Sequence, residues 1–134
     1  MSKIFLAYRF TGEDPKELEI VLGNIRNSLH VAGQEVVCTF WLSDFFKRNN
    51  FSIDQKYEYG LQKVDECDIF LAFVKSADAS KGMQMESQRA VERNKQYVLA
   101  IKEGLKFPEF RSAAHKIIEY SQLTDLYAML KELK

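Results

Sequence analysis

The sequence predicts an α/β fold: a doubly wound, mainly parallel sheet of about five strands with helices on both faces. Short apolar runs alternate with amphipathic helical segments along the chain, which is the order of β-α-β units. The run 68–74 is almost unbroken in its apolar character, as is typical of strands covered on both faces of a parallel sheet. With 134 residues the chain has the length of one domain, which we predict to span 1–134.

Each predicted strand is a short apolar or β-branched run that ends at a turn or a polar segment. The strands are predicted at 3–8, 35–40, 68–74, 96–101 and 116–120. Their alternation with helices is the pattern of flavodoxin-like and Rossmann-like sheets.

The first predicted helix begins at Asp14, which suits an N-cap, and Pro15 suits the first turn. Gly33 ends it. Its apolar residues recur at spacings of three and four: Leu18, Val21, Leu22, Ile25 and Leu29. Three more helices are predicted, from 53 to about 67, at 82–94 and from about 122 to 133. The segments 41–52 and 102–108 are predicted loops, the first with one helical turn at most.

Composition excludes several classes of function. Lys plus Arg and Asp plus Glu both total 19, so the chain lacks the basic excess of nucleic-acid-binding and membrane-surface proteins. No signal peptide opens the sequence, and no apolar run reaches the roughly 20 residues of a membrane span. The two cysteines, Cys38 and Cys67, are predicted to be buried thiols. We therefore expect a cytoplasmic domain with neither nucleic acid nor membrane as partner.

Several site motifs are absent from the sequence. It contains no G-x-G-x-x-G, no P-loop and no G-x-S-x-G elbow, so it predicts neither these phosphate cradles nor a serine hydrolase. The two histidines, His30 and His115, stand far apart and no C-x-x-C is present, so no metal site is predicted.

Ligands of open α/β sheets bind beyond the carboxyl ends of the strands, where the strand order reverses. The loops predicted to meet there are 8–14, 39–52, 75–82 and 102–108. The third loop leads into the helix that carries Gly82 and Glu86. Gly82 would let backbone approach a ligand, and Glu86 would lie in or near the first turn, where the helix dipole favours an ionised carboxylate. Such a carboxylate can attack the anomeric carbon of a sugar, although a helix-start carboxylate without a ligand is the simpler alternative.

Other residues near this edge allow two interpretations each. Met83 and Met85 suit either core packing or a pocket for a flat base, and Arg9 and Arg89 suit either an anion or an ion pair within the protein. Aromatic residues are dense at the same edge, where they could stack on a base or pack as walls. They are Tyr8, Phe10, Phe40, Trp41, Phe45 and Phe46.

Most of the chain resembles the nucleoside 2-deoxyribosyltransferase family and its relatives, the deoxynucleoside 5′-monophosphate N-hydrolases. The segment 4–12 is similar to the first strand and the sugar/phosphate loop of that family. The strongest match runs from 61–71 through 82–86 to 95–99, where a strand opening with Asp is followed by a helix start with Gly-x-x-x-Glu. The segment 116–123 resembles the last short strand and helix entry.

The resemblance implies that Glu86 is the nucleophile and forms a covalent glycosyl intermediate. It also implies a small nucleoside or nucleotide as substrate, no cofactor, and a homo-oligomer, since the pockets of the family are often completed by a neighbouring subunit. The loop 39–52 is the segment expected to close the pocket or to meet that partner. The implied substrate-binding residues are Tyr8, Arg9, Gly12, Ser80, Gly82 and Met85.

The sequence departs from the family at three positions. Gly60, next to Glu58 and Tyr59, stands where the family has an Asp that assists at the base, and Ser80 stands at a second acidic position. Phe5 replaces a tyrosine of the first strand. A nucleophile without acid assistance would lose about 10²–10⁴-fold in rate, so a changed substrate or a non-catalytic nucleotide-binding module is an alternative.

A second resemblance is to Toll/interleukin-1 receptor (TIR) domains, some of which cleave NAD with a glutamate at the matching place. It rests on the segment 9–14 after the first strand and on Ser80 six residues before Glu86. Gly82 and Met83 stand where those domains commonly have Trp and Cys. Both resemblances imply N-glycosidic chemistry at Glu86.

Overall fold

The five strands form one parallel sheet in the order β2-β1-β3-β4-β5, which confirms the predicted fold class. A computed structural model describes residues 2–10 and 12–133. The strands are β1 (Lys3–Ala7), β2 (Glu35–Val37), β3 (Ile69–Val74), β4 (Gln96–Lys102) and β5 (Lys116–Tyr120). The order reverses between β1 and β3, so ligands are expected beyond the carboxyl ends of these two strands.

Helices connect the strands and cover both faces of the sheet. They are α1 (Pro15–Val31), a 3-10 helix (Thr39–Leu42), α2 (Ser43–Arg48), α3 (Ile53–Glu66), α4 (Lys81–Glu92), α5 (Pro108–Ala113) and α6 (Leu123–Leu130). Side-chain caps begin α1 and α4, and the one at Asp14 was predicted from the sequence. The Asp14 carboxylate accepts a hydrogen bond from the Lys16 amide at 3.0 Å, and the Ser80 hydroxyl accepts one from the Met83 amide at 3.1 Å.

The core lies in two layers, one on each face of the sheet. Alternate residues of β1 and β3 point to opposite faces, so that Ile4 and Leu71 join the layer under α1 and α6, while Phe5 and Phe70 join the other layer. Every residue of β3 is buried. A strand with two covered faces needs apolar residues at every position, which explains the unbroken apolar run in the sequence.

Three predicted boundaries were wrong. The second strand ends at Val37 and not at 40, because the chain turns into the 3-10 helix, whose Trp41 amide donates to the Cys38 carbonyl at 3.3 Å. The segment 41–52 contains the helix α2, stabilised by aromatic packing of Phe46 against Phe51 and Tyr59. The predicted loop 102–108 is followed by the unpredicted helix α5, which begins at a proline and is too short to show a helical period.

The two cysteines, Cys38 and Cys67, are buried and free, as predicted. Within residues 2–10 and 12–133, no helix combines the length and the apolar character needed to cross a membrane. Over the same residues, no group of three or more His, Cys, Asp and Glu side chains could hold a metal ion.

Candidate active site

Glu86 lies on α4, the helix that follows β3 at the reversal in strand order. Because α4 begins at Lys81, Glu86 is in the second turn of the helix and the first turn holds no acidic residue. The prediction that the helix dipole stabilises the charge of Glu86 is therefore wrong, since that effect fades beyond the first turn.

The Glu86 carboxylate lies against the backbone of α3 at Gly60. A Cβ atom built on Gly60 would stand 3.0 Å from Glu86 Oε2 and 3.9 Å from the Thr39 methyl group. The position at which the resemblance implied an acid is thus in contact with the candidate nucleophile, and it presents only backbone.

Burial raises the pKa of Glu86 to about 8, and among the described residues no charged group contributes to this shift. Glu86 as a whole is half-buried. At pH 7 the carboxyl group is therefore predominantly neutral. Ionisation requires either a higher pH or a ligand that supplies positive charge.

Tyr8, directly after β1, is a second neighbour of Glu86. Burial raises the pKa of the Tyr8 hydroxyl, and the nearby Cys38 thiol and Glu86 carboxyl raise it further. A hydrogen bond with the Thr39 side chain acts in the opposite direction. Tyr8 therefore stays neutral and can donate a hydrogen bond towards this group of side chains.

Arg9 belongs to a separate polar cluster, formed by the loops after β1 and β3. Its guanidinium donates to the Ser76 hydroxyl at 2.9 Å, and Ser76 Oγ donates to Glu13 Oε1 at 3.3 Å. Lys75 Nζ lies 3.3 Å from the other oxygen of Glu13, and Asp78 lies 3.9 Å from Arg9. Two cations thus face two carboxylates around a cavity of about 10 Å³, which holds about one water molecule.

Gly12 lies beside this cluster and is required there for two reasons. Its φ of +82° is a left-handed conformation, and a Cβ atom on it would stand 2.7 Å from the guanidinium of Arg9. Gly12 therefore makes room for Arg9. Its neighbour Thr11, which belongs to both resemblance motifs, is outside the described residues.

The remaining predicted site residues have mainly structural contacts. Ser80 caps α4. The open side of Gly82 faces the Tyr57 ring, whose Cε1 would be 3.1 Å from a Cβ atom at position 82. Met83 is buried in the core, whereas Met85 is half-buried.

Arg89 points away from the site. Its Nε and NH2 groups donate to the two oxygens of Asp65 at 2.8 and 2.7 Å, and Arg93 lies 3.4 Å from the same carboxylate. The alternative of an ion pair within the protein is therefore confirmed for Arg89, and the structure leaves Arg9 as the arginine near the site.

Two features of this edge escaped the sequence reasoning. Tyr57 covers the start of α4, and Glu13 holds both Lys75 and Arg9. Tyr57 and Gly60 are three residues apart and therefore lie on one side of α3, and this spacing could have indicated the position of Tyr57. For Glu13 the sequence held no such signal.

A larger cavity of about 150 Å³ lies at the opposite edge of the sheet, between the end of α4 and the start of β5. Tyr97, Lys95 and His115 are among its lining residues, and none of the predicted site residues reaches it.

Solved structures similar to this chain share its fold. The CMP N-glycosidase BcmB of Clostridium botulinum superposes with a TM-score of 0.70 at 20% identity, over 98% of this chain and 99% of that one. The 2-deoxyribosyltransferase of Bacillus psychrosaccharolyticus gives a TM-score of 0.67 at 17% identity, over 96% of each chain. A conserved protein of Enterococcus faecalis V583 gives 0.61 at 13% identity, over 98% of each. No family model and no curated protein matches the sequence.

Proposed function

We propose that the chain cleaves or transfers the N-glycosidic bond of a nucleoside or nucleotide, with Glu86 as the nucleophile. The observation that carries the proposal is the placement of the Glu86 carboxylate at the reversal in strand order, where it packs on the backbone of Gly60 and burial raises its pKa. Carboxyl groups whose pKa is raised by burial are costly for a fold when they ionise, and they are typical of functional sites. The full-length likeness to a CMP N-glycosidase and a 2-deoxyribosyltransferase supports this chemistry.

In the proposed reaction, the ionised Glu86 attacks the anomeric carbon, and the electron pair of the C–N bond leaves with the base. The base takes up a proton, and an ester links Glu86 to the sugar. Water or a second base then attacks the same carbon, which releases the sugar and restores the carboxylate. Tyr8 is proposed to orient the carboxylate, and Arg9, Gly12 and Ser80 to line the side of the sugar or phosphate.

The same proposal includes a homo-oligomer. Gly60 presents only backbone where the resemblance implied an acid, so a second copy is one source of the proton for the leaving base. Three apolar side chains near this edge are exposed, namely Phe10 at 51%, Phe45 at 39% and Ile53 at 67%. Light scattering at high protein concentration tests this part, and a strict monomer would contradict it.

The enzymatic proposal is tested by incubating the protein with 2′-deoxynucleosides, nucleoside 5′-monophosphates and NAD, and following the free base by chromatography. Base release is expected from wild type, and Glu86→Gln should lower it by about 10³-fold or more. Glu92→Gln, which neutralises an exposed glutamate of the same helix, is the control and should keep the rate.

Other outcomes would select the alternatives. Release of nicotinamide alone would favour TIR-like chemistry. Tight nucleotide binding without turnover would favour a non-catalytic module. Equal, negligible rates for wild type and Glu86→Gln would refute the enzyme.

A further inference from the structure

Two glycines, one from each helix, line the contact between α3 and α4, and each receives a large side chain from the other helix. The Tyr57 ring of α3 lies on Gly82 of α4, at 3.1 Å from the built Cβ position. The Glu86 carboxylate of α4 lies on Gly60 of α3, with Oε2 at 3.0 Å from the built Cβ position. The candidate nucleophile is thus one half of a reciprocal helix contact.

The backbone conformation does not explain the glycine at position 60. Gly60 is in the interior of α3 and does not have a positive φ. Among the described residues the glycines with positive φ are Gly12, Gly33 and Gly104. A glycine in a helix interior is less favourable than alanine. Gly23 of α1 is a useful comparison, because it is also inside a helix but has no atom within 4 Å of its built Cβ position.

We propose that Gly60 is a positioning residue for Glu86: the missing side chain lets the carboxylate rest on the backbone of α3, and this contact fixes its direction. The catalytic meaning of the contact rests on the proposed function, whereas the contact itself does not.

Besides Gly60, the Glu86 carboxyl group lies near enough to Tyr8 and Cys38 to affect their pKa values. Tyr8 directly follows β1 and Cys38 directly follows β2, and the positive charge of Arg26 on α1 acts in turn on Cys38. Even the methyl group of an alanine at position 60 would stand 3.0 Å from Oε2, closer than side chains normally approach, so the carboxylate would have to move. Because Glu86 is flexible at its end, we expect it to turn towards water while the fold is kept.

The first experiment compares Gly60→Ala with Gly23→Ala by an NMR titration of the Glu86 carboxyl carbon. Gly60→Ala is expected to lower the titration midpoint of Glu86 by about one pH unit, because a displaced carboxylate is better hydrated. Gly23→Ala is expected to leave it unchanged. An unchanged midpoint in a folded Gly60→Ala protein overturns the proposal, and no catalysis is needed for this result.

Thermal unfolding provides a second test that does not depend on activity. Gly23→Ala should raise Tm by about 2–4 °C through helix propensity alone. If residues 60 and 86 are in contact, the effect of Gly60→Ala on Tm should differ between wild type and a Glu86→Ala background. Equal effects in the two backgrounds would count against the contact.

Kinetics then connect the contact to the reaction. On a substrate that wild type cleaves, Gly60→Ala should reduce kcat by about 10–100-fold with a smaller change in KM, since a small misplacement of a reacting group has effects of this size. Gly23→Ala should keep both constants. An unchanged kcat in Gly60→Ala would overturn the positioning role, whereas a wild type without any turnover would refute the proposed function and leave the first two experiments valid.

Discussion

The carboxylate of Asp78 lies 3.9 Å from the guanidinium of Arg9, although its side chain is 79% exposed. An ion pair as long and as exposed as this contributes little, about 0.2–1 kcal/mol. Arg9 also contacts Ser76 at 2.9 Å and Glu13 at 3.9 Å, and both of these side chains are better buried than Asp78. An anionic group of a ligand could therefore replace Asp78 beside Arg9 at small cost and without disturbing the rest of the cluster.

This relationship predicts a selective effect of Asp78→Asn. If Arg9 binds the phosphate of a nucleotide, removing the competing carboxylate should lower KM for phosphorylated substrates by up to about fivefold. KM for the corresponding nucleosides should stay the same. Steady-state kinetics on a nucleotide and its nucleoside measure the difference.

Asp125→Asn is the matched control for charge, because Asp125 lies on α6 and is exposed. Asp125→Asn should leave KM unchanged for both the nucleotide and the nucleoside. Equal effects of Asp78→Asn on nucleotide and nucleoside would show that Arg9 does not bind the phosphate.

A second prediction concerns the start of the β4–β5 pair. The His115 amide donates to the Tyr97 carbonyl at 2.8 Å, and the Tyr97 amide donates to Nδ1 of His115 at 2.9 Å. In His115→Ala the Tyr97 amide would lose its acceptor, so the free energy of unfolding should fall by about 1–2 kcal/mol. Urea unfolding measures this change. His30→Ala, which removes an exposed imidazole, is the control and should stay within about 0.5 kcal/mol of wild type. If both variants lowered the free energy of unfolding equally, the hydrogen bond from the Tyr97 amide to His115 would have no special role in stability.

The sequence predicted the strands well because their signal is local. Every residue of β3 packs between two helical layers, so the apolar run itself marks the strand. The failures are also local in origin. The β-branched residues before Phe40 favour a strand, but the chain turns at Thr39 because the 3-10 helix packs Phe40 against Tyr8.

The candidate site was predictable in its position but not in its contacts. That Glu86 follows a buried strand at the ligand edge could be deduced from the order of elements. Its contact with Gly60 depends on how α3 lies on α4, which no spacing within either helix determines. The same holds for Arg89 and Asp65, whose pairing across these two helices decided between the two interpretations of Arg89.

A third prediction concerns the reactivity of the cysteines. Burial raises the pKa of Cys67 to about 11 and also raises that of Cys38, so neither thiol forms the reactive thiolate near pH 8. The native protein should therefore react with a thiol reagent far more slowly than the unfolded protein, in which two thiols per chain should react. Rapid labelling of the native protein at pH 8 would show that one of these side chains is open to solvent.

The last prediction concerns the pH dependence of stability. Burial holds the pKa of Glu86 at about 8, whereas a glutamate of an unfolded chain titrates near about 4.3. Between these two pKa values unfolding releases a proton, so rising pH favours the unfolded chain. Above about pH 8 Glu86 is ionised in both states, and its contribution to the free energy of unfolding no longer changes with pH. Relative to Glu86→Gln, wild type should lose about 1.4 kcal/mol of stability per pH unit over this range.

The measurement is urea unfolding of wild type and Glu86→Gln at intervals from pH 5 to pH 9, because the difference between the two proteins cancels the titration of all other groups. Glu92→Gln should give a profile parallel to that of wild type, since this glutamate is exposed. If the wild-type and Glu86→Gln profiles are parallel from pH 5 to pH 8, the Glu86 carboxyl group ionises as in water. That result would contradict the burial of the Glu86 carboxyl group, which supports its proposed role as the nucleophile.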